Sequence, residues 1–158
     1  MTRPDDLERL DAALMRLRRL WTAPRTRAGM RAGDDPVELS TVLVVDALAR
    51  GPHHHVGVAD VAERLDVTPS TASRLVDRAV AAGMVERRVA PDDARRADLA
   101  LTEAGAALHG RARTFRTRYL GAVLNDWNAS DVATLADHLD RFARAVTDAA
   151  PPPPQENP

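Results

Sequence analysis

T68-P-S-T-A-S-R-L-V-D-R-A-V-A-A-G-M-V85 is the stretch on which the reading of this chain turns. Thr68 is a good N-cap, and Pro69 stands at the first helical position, where its missing N–H costs nothing. Gly83 closes the helix just past its C-cap, and Met84 is placed for the hydrophobic contact that follows such an end. At about 100° per residue, Ala72, Leu75, Val76, Ala79 and Val80 share one side. Ser70, Thr71, Ser73, Arg74, Asp77 and Arg78 share the other. One face is thus anchored in a core, while the opposite face offers hydroxyls and guanidinium groups. Arginine forks pair with phosphates or guanine edges, and hydroxyls reach phosphates or bases. A DNA-reading helix needs this division, and many ordinary surface helices show it too.

The neighbouring sequence separates the two cases. Upstream, Val58, Val61, Ala62 and Leu65 recur at i, i+3, i+4 and i+7, the spacing of a short amphipathic helix. Asp66 and Val67 alone lie between it and the Thr68 cap. Two helices joined by a tight turn, the second with a polar outer face, make a helix-turn-helix. Downstream, V85-E-R-R-V89 and L99-A-L101 alternate apolar and polar residues around A90-P-D-D-A-R-R96. That pattern predicts a β-hairpin with a long charged tip bearing Arg95 and Arg96, hence a winged helix-turn-helix.

Taken together, the run from Val58 to Arg88, D93-A-R95 and L99-A-L-T-E-A-G105 resemble the multiple-antibiotic-resistance regulator (MarR) family. The combination is specific where no single part would be. The resemblance implies a mainly α fold with a small β-hairpin wing and dimerisation helices at both ends. It also implies a homodimeric transcriptional regulator, usually a repressor, that binds a pseudo-palindromic double-stranded operator and is often released by a small-molecule effector. Carried over by position, the helix from Pro69 would enter the major groove, with Ser70, Thr71, Ser73, Arg74 and Arg78 as contacts. Arg95 or Arg96 would reach the minor groove, with Asp93 orienting the tip. Family wings often place arginines directly after the Asp, whereas here Ala94 intervenes, so both arginines stand as candidates. A ligand would sit between reading head and dimer helices, with Trp21, Val42 and Phe115 as wall residues or as plain core.

Composition sets the outer limits. The chain has 158 residues, its 22 basic residues are all Arg, and aromatics are only 3%. Ala and Arg favour helix, so the core is expected to be Leu, Val and Ala packed between helices. Net charge is −1, but between Val67 and Arg96 six arginines face four acids, a local +2 that a dimer would double. With no Cys, disulfides and a thiol redox switch are excluded. No apolar stretch suits a signal peptide or a membrane span, so a cytoplasmic protein without membrane partners is expected.

Along the chain, Leu7, Leu10, Leu14, Leu17 and Trp21 step 3-4-3-4, a narrow seam on a helix over about residues 5–22. Thr22 to Pro36, broken by Pro24, Gly29 and Gly33, reads as a loop. Val37 to Arg50 reads as a buried supporting helix ended by Gly51-Pro52. Thr102 caps a long helix, with Leu108, Ala112, Phe115, Tyr119, Ala122 and Val123 on one stripe and Arg111, Arg113, Arg116 and Arg118 solvated. Ser130 is the expected cap of a last helix, where Val132, Leu135, Leu139, Phe142 and Val146 again step 3-4-3-4. The division expected is one domain over residues 1–148, with a winged lobe at about 37–102 and dimerisation helices at 5–22 and 103–148. The proline-rich tail, 149–158, cannot continue a helix.

Two other readings compete. A winged-helix interaction module without DNA reading fits the low net charge and the altered wing. A metal-responsive regulator would use His53, His54 and His55, but adjacent loop side chains do not readily converge on one tetrahedral ion. An enzyme is not expected: the chain lacks a Gly-rich phosphate loop, a Cys nucleophile and an HExxH zinc motif. No cofactor is expected either.

Overall fold

The structure is a computed structural model that describes residues 3–17, 31–32, 35–50, 56–90 and 93–149. The chain divides into two units, Met1–Thr117 and Arg118–Pro158. In order, the described elements are α1 (Pro4–Leu17), β1 (Arg31–Ala32), β2 (Asp35–Pro36), α2 (Leu39–Ala49), α3 (Val58–Leu65) and α4 (Pro69–Ala81). There follow β3 (Val85–Ala90), β4 (Asp93–Leu101), α5 (Glu103–Val123) and α6 (Ala129–Asp148). The fold is mainly α with one two-stranded wing, as the sequence predicts.

The core of the first unit is aliphatic. Val42, Val44, Val45 and Leu48 of α2 meet Val61 and Ala62 of α3 and Ala72, Val76 and Ala79 of α4. Met84, Val85, Leu99, Leu108 and Ala112 close it from the wing and from α5. Each such Val or Leu side chain contributes roughly 1.5–3 kcal/mol by leaving water. α2 is the hub, packing on α3, α4 and β4.

Local chemistry ends each helix where the chain must turn. Asp60 Oδ2 accepts the Gly57 N–H at 2.7 Å, securing the start of α3. Asp66 ends that helix in the left-handed region at φ 50°, and the Val67 N–H bonds back to the Ala62 carbonyl at 3.0 Å. Asp tolerates that conformation better than most non-glycine residues. Arg64 donates to the Ala47 carbonyl at 2.9 Å, capping one of the last free carbonyls of α2 from a neighbouring helix.

The wing pairs Val85 with Leu101 and Arg87 with Leu99 in antiparallel register, with an irregularity between Val89 and Ala90. Ala90 pairs with Asp93, so the ladder runs well into the stretch expected to be an open tip. Backbone pairing there needs no apolar alternation, which is why the charged sequence concealed it. The Leu99 N–H also donates to the Val56 carbonyl at 2.7 Å, tying the hairpin to the chain just before α3.

Three more expectations are corrected. Within the segment read as a loop, Arg31–Ala32 and Asp35–Pro36 pair as two short antiparallel strands, too brief to leave a periodic signal. The last helix begins at Ala129, and its cap is Asn128, whose Oδ1 accepts the Asp131 N–H at 2.8 Å, rather than Ser130. Both residue types cap well, and only the oxygen three residues ahead of the free N–H reaches it. Arg116 is not solvated: its side chain, 18% exposed, donates to Asp46 Oδ1 at 2.9 Å. Trp21, Gly51-Pro52, the three histidines and the tail after residue 149 lie outside the described residues.

Candidate nucleic-acid interface

The candidate face is built on α4. Thr68 Oγ1 accepts the Thr71 N–H at 3.3 Å, and Pro69 follows as the first helical residue. At the far end Gly83 takes φ 70°; its N–H bonds the Val80 carbonyl at 2.9 Å, and the Met84 N–H bonds the Ala79 carbonyl at 3.0 Å. These are the paired bonds of a Schellman end, and Met84 itself is buried. Ala72, Val76 and Ala79 are fully buried beneath the helix. The helix therefore cannot roll, and the side it turns outward is settled by its core side.

That outward side carries the expected groups in graded exposure. Pro69, Ser70, Arg74, Asp77 and Arg78 are exposed, while Thr71 and Ser73 are half-buried. The Ser70 and Thr71 hydroxyls gather on Thr68 Oγ1 at 3.1 and 2.9 Å. Arg74 has no hydrogen-bond or ion-pair partner among the described residues, leaving its donors open to an outside acceptor. Arg78 reaches Glu38 Oε2 at 3.5 Å across 40 residues of chain.

One pair was not foreseen. Arg87 of β3 donates through Nη2 to Asp77 Oδ1 at 2.6 Å, joining the wing to α4. Alternation along β3 puts Arg87 on the face of buried Val85, turned toward α4, and that pattern was visible in the sequence. Its partner on α4 was not. Arg88 faces the other way and pairs with Glu86 on its own strand. For Asp93, Arg95 and Arg96 the structure describes the backbone of β4 alone, so their side chains lie outside what it assigns.

The proposed pocket residues do not gather into a described cavity. Val42 is 3% exposed within the aliphatic core, and Phe115 is half-buried on α5. Near Phe115 on the same helix, Arg116 and His109 both approach Asp46 of α2, His109 Nδ1 at 3.6 Å. Among the described residues no group of three or more His, Asp or Glu could hold a metal ion. No helix among them is long and apolar enough to cross a membrane.

Comparison with known proteins places this geometry. A model of the MarR family matches residues 36–96, which span α2, the two helices of the turn and most of the wing. A MarR family protein from Bacillus stearothermophilus shares the fold with a TM-score of 0.76 at 18% identity, over 94% of this chain and 100% of that one. CouR from Rhodococcus jostii RHA1, solved bound to p-coumaroyl-CoA, gives 0.67 at 19% identity, over 91% and 95%. A MepR variant from S. aureus bound to an oligodeoxyribonucleotide gives 0.55 at 15% identity, over 92% and 99%. No curated protein sequence matches the chain. Residues 36–96 are thus similar to the MarR family model, in a chain that shares the fold of solved MarR-family structures.

Proposed function

We propose that the chain is a homodimeric, sequence-specific DNA-binding regulator, a repressor released by a small-molecule effector. The observation that carries this reading is Arg74: exposed, without a described partner, on a helix whose opposite side is buried. Ser70 and Ser73 flank it within one turn, so hydroxyl and guanidinium donors converge on one strip. Pro69, Thr71 and Arg78 border that strip, and Arg95 and Arg96, oriented by Asp93, serve the minor groove from the wing. The oligonucleotide-bound MepR variant and the ligand-bound CouR, of the same fold, support a chain that answers both DNA and a small molecule.

Exposed apolar seams support the dimer. Leu7, Leu10 and Leu17 of α1 and Leu139, Phe142 and Val146 of α6 are all exposed. Covering such seams with a second copy stabilises both, and a two-fold axis would set two reading helices about 34–36 Å apart, one turn of DNA. The effector must bind the DNA-incompetent form more tightly than the competent one. Trp21, Val42 and Phe115 are the proposed wall residues; with Val42 inside the core, a ligand touching it has to part that core.

The test is a gel shift on DNA upstream of the chain's own gene, across a salt series. Arg74→Ala and Arg95→Ala should weaken binding while leaving fold and dimer intact. Equal binding by both variants would sink the assigned surface. A parent protein with no sequence preference would instead favour an interaction module on a winged-helix scaffold.

A further inference from the structure

At about 100° per residue, Ser70, Arg74 and Asp77 fall within about 60° of one another on α4. A carboxylate therefore stands in the middle of the face assigned to DNA. Asp77 is 62% exposed there, and a bare carboxylate so placed would be repelled by phosphates. It is not bare: Arg87 of β3 meets it at 2.6 Å, with its own side chain 39% exposed. An exposed ion pair adds little to stability, so folding gives no strong reason for this one. A guanidinium has five N–H donors in a rigid fork, and the Asp77 bond uses the Nη2 side of it. The remaining donors sit at the seam between reading helix and wing, where a duplex seated on α4 would bring its backbone.

We propose that Arg87 is a DNA-backbone contact and that Asp77 is the positioning residue that aims it. The proposal rests on the DNA-binding reading above and adds to that surface two residues it did not include. Simple charge counting predicts that removing an acid from a DNA-binding face tightens binding to every duplex. Positioning predicts the reverse sign, and only while Arg87 is present.

The experiment uses the full chain and a duplex that the parent protein enriches from a random-sequence pool, with affinity measured by fluorescence anisotropy over a range of NaCl. Asp77→Asn should weaken binding on the order of tenfold, as expected when a charge-assisted contact is misaligned. Arg87→Ala should also weaken it and should lower the slope of log affinity against log salt by about one per protomer. In the Arg87→Ala background the sign should flip, so that Asp77→Asn strengthens binding by removing an unneutralised carboxylate. Thermal midpoints of the free variants should match the parent, which a merely structural role would not allow. Equal or tighter binding by Asp77→Asn with Arg87 intact, or an unchanged salt slope for Arg87→Ala, overturns the proposal while the parent's operator binding stands. A parent that enriches no sequence overturns the DNA-binding reading, and this proposal falls with it.

Discussion

A Cβ added to Gly105 would lie 2.0 Å from the carbonyl oxygen of Met84, closer than any real side chain comes. α5 thus starts in direct backbone contact with the end of the helix-turn-helix. Gly105→Ala must push the helix off Met84, and the expected cost is about 1–3 kcal/mol or more, read as a lowered thermal midpoint. Gly110, on the same helix with nothing within 4 Å of a built Cβ, is the control. Gly110→Ala should stabilise by about 0.5–1 kcal/mol, since Ala loses less backbone freedom in a helix. Equal effects of the two substitutions would refute the contact.

Thr102 holds the same junction through one hydroxyl. Its Oγ1 accepts the Gly105 N–H at 3.0 Å and donates to the Gly83 carbonyl at 2.7 Å. Thr102→Val keeps the shape and removes both bonds, so chemical denaturation should show a loss of about 1–2 kcal/mol. Thr102→Ser, which retains the oxygen, should recover most of it.

Asp46 and Arg116 join α2 to α5 across 70 residues, with side chains 21% and 18% exposed. Breaking a largely buried pair from one side leaves the other charge without its partner. Asp46→Ala is therefore expected to destabilise by about 1–3 kcal/mol. Combining it with Arg116→Met should cost less than the two single losses added together. Additive losses in that cycle would show the two side chains to be independent.

Phe142 is 38% exposed on α6, in line with exposed Leu139 and Val146. Phe142→Glu should leave the helical circular dichroism signal unchanged and shift the light-scattering mass from dimer to monomer. DNA affinity should fall with it, because two half-sites are no longer read at once. A Phe142→Glu protein that remains a full dimer would place the interface elsewhere.

How much of this was legible in the chain depends on the distance over which each cause acts. Thr68, Pro69 and Gly83 bound α4 through bonds to residues at most five away, so its ends were readable from residue types alone. The 3.6-residue period of Ala72, Val76 and Ala79 likewise identified the buried side, and with it the exposed one. Where two local choices competed, residue types alone did not decide between them. Asn128 and Ser130 are both suitable caps, and the helix took the first.

The chain by itself determined the helix-turn-helix, the presence of the wing hairpin and the strip on which Ser70, Ser73 and Arg74 stand, because each follows from period and end chemistry. Tertiary structure alone decided that Arg116 turns inward to Asp46, that Leu99 bonds to Val56, and that Arg87 meets Asp77. Such pairings depend on the angle and offset at which whole elements pack, and those are settled by the joint burial of side chains far apart in the chain.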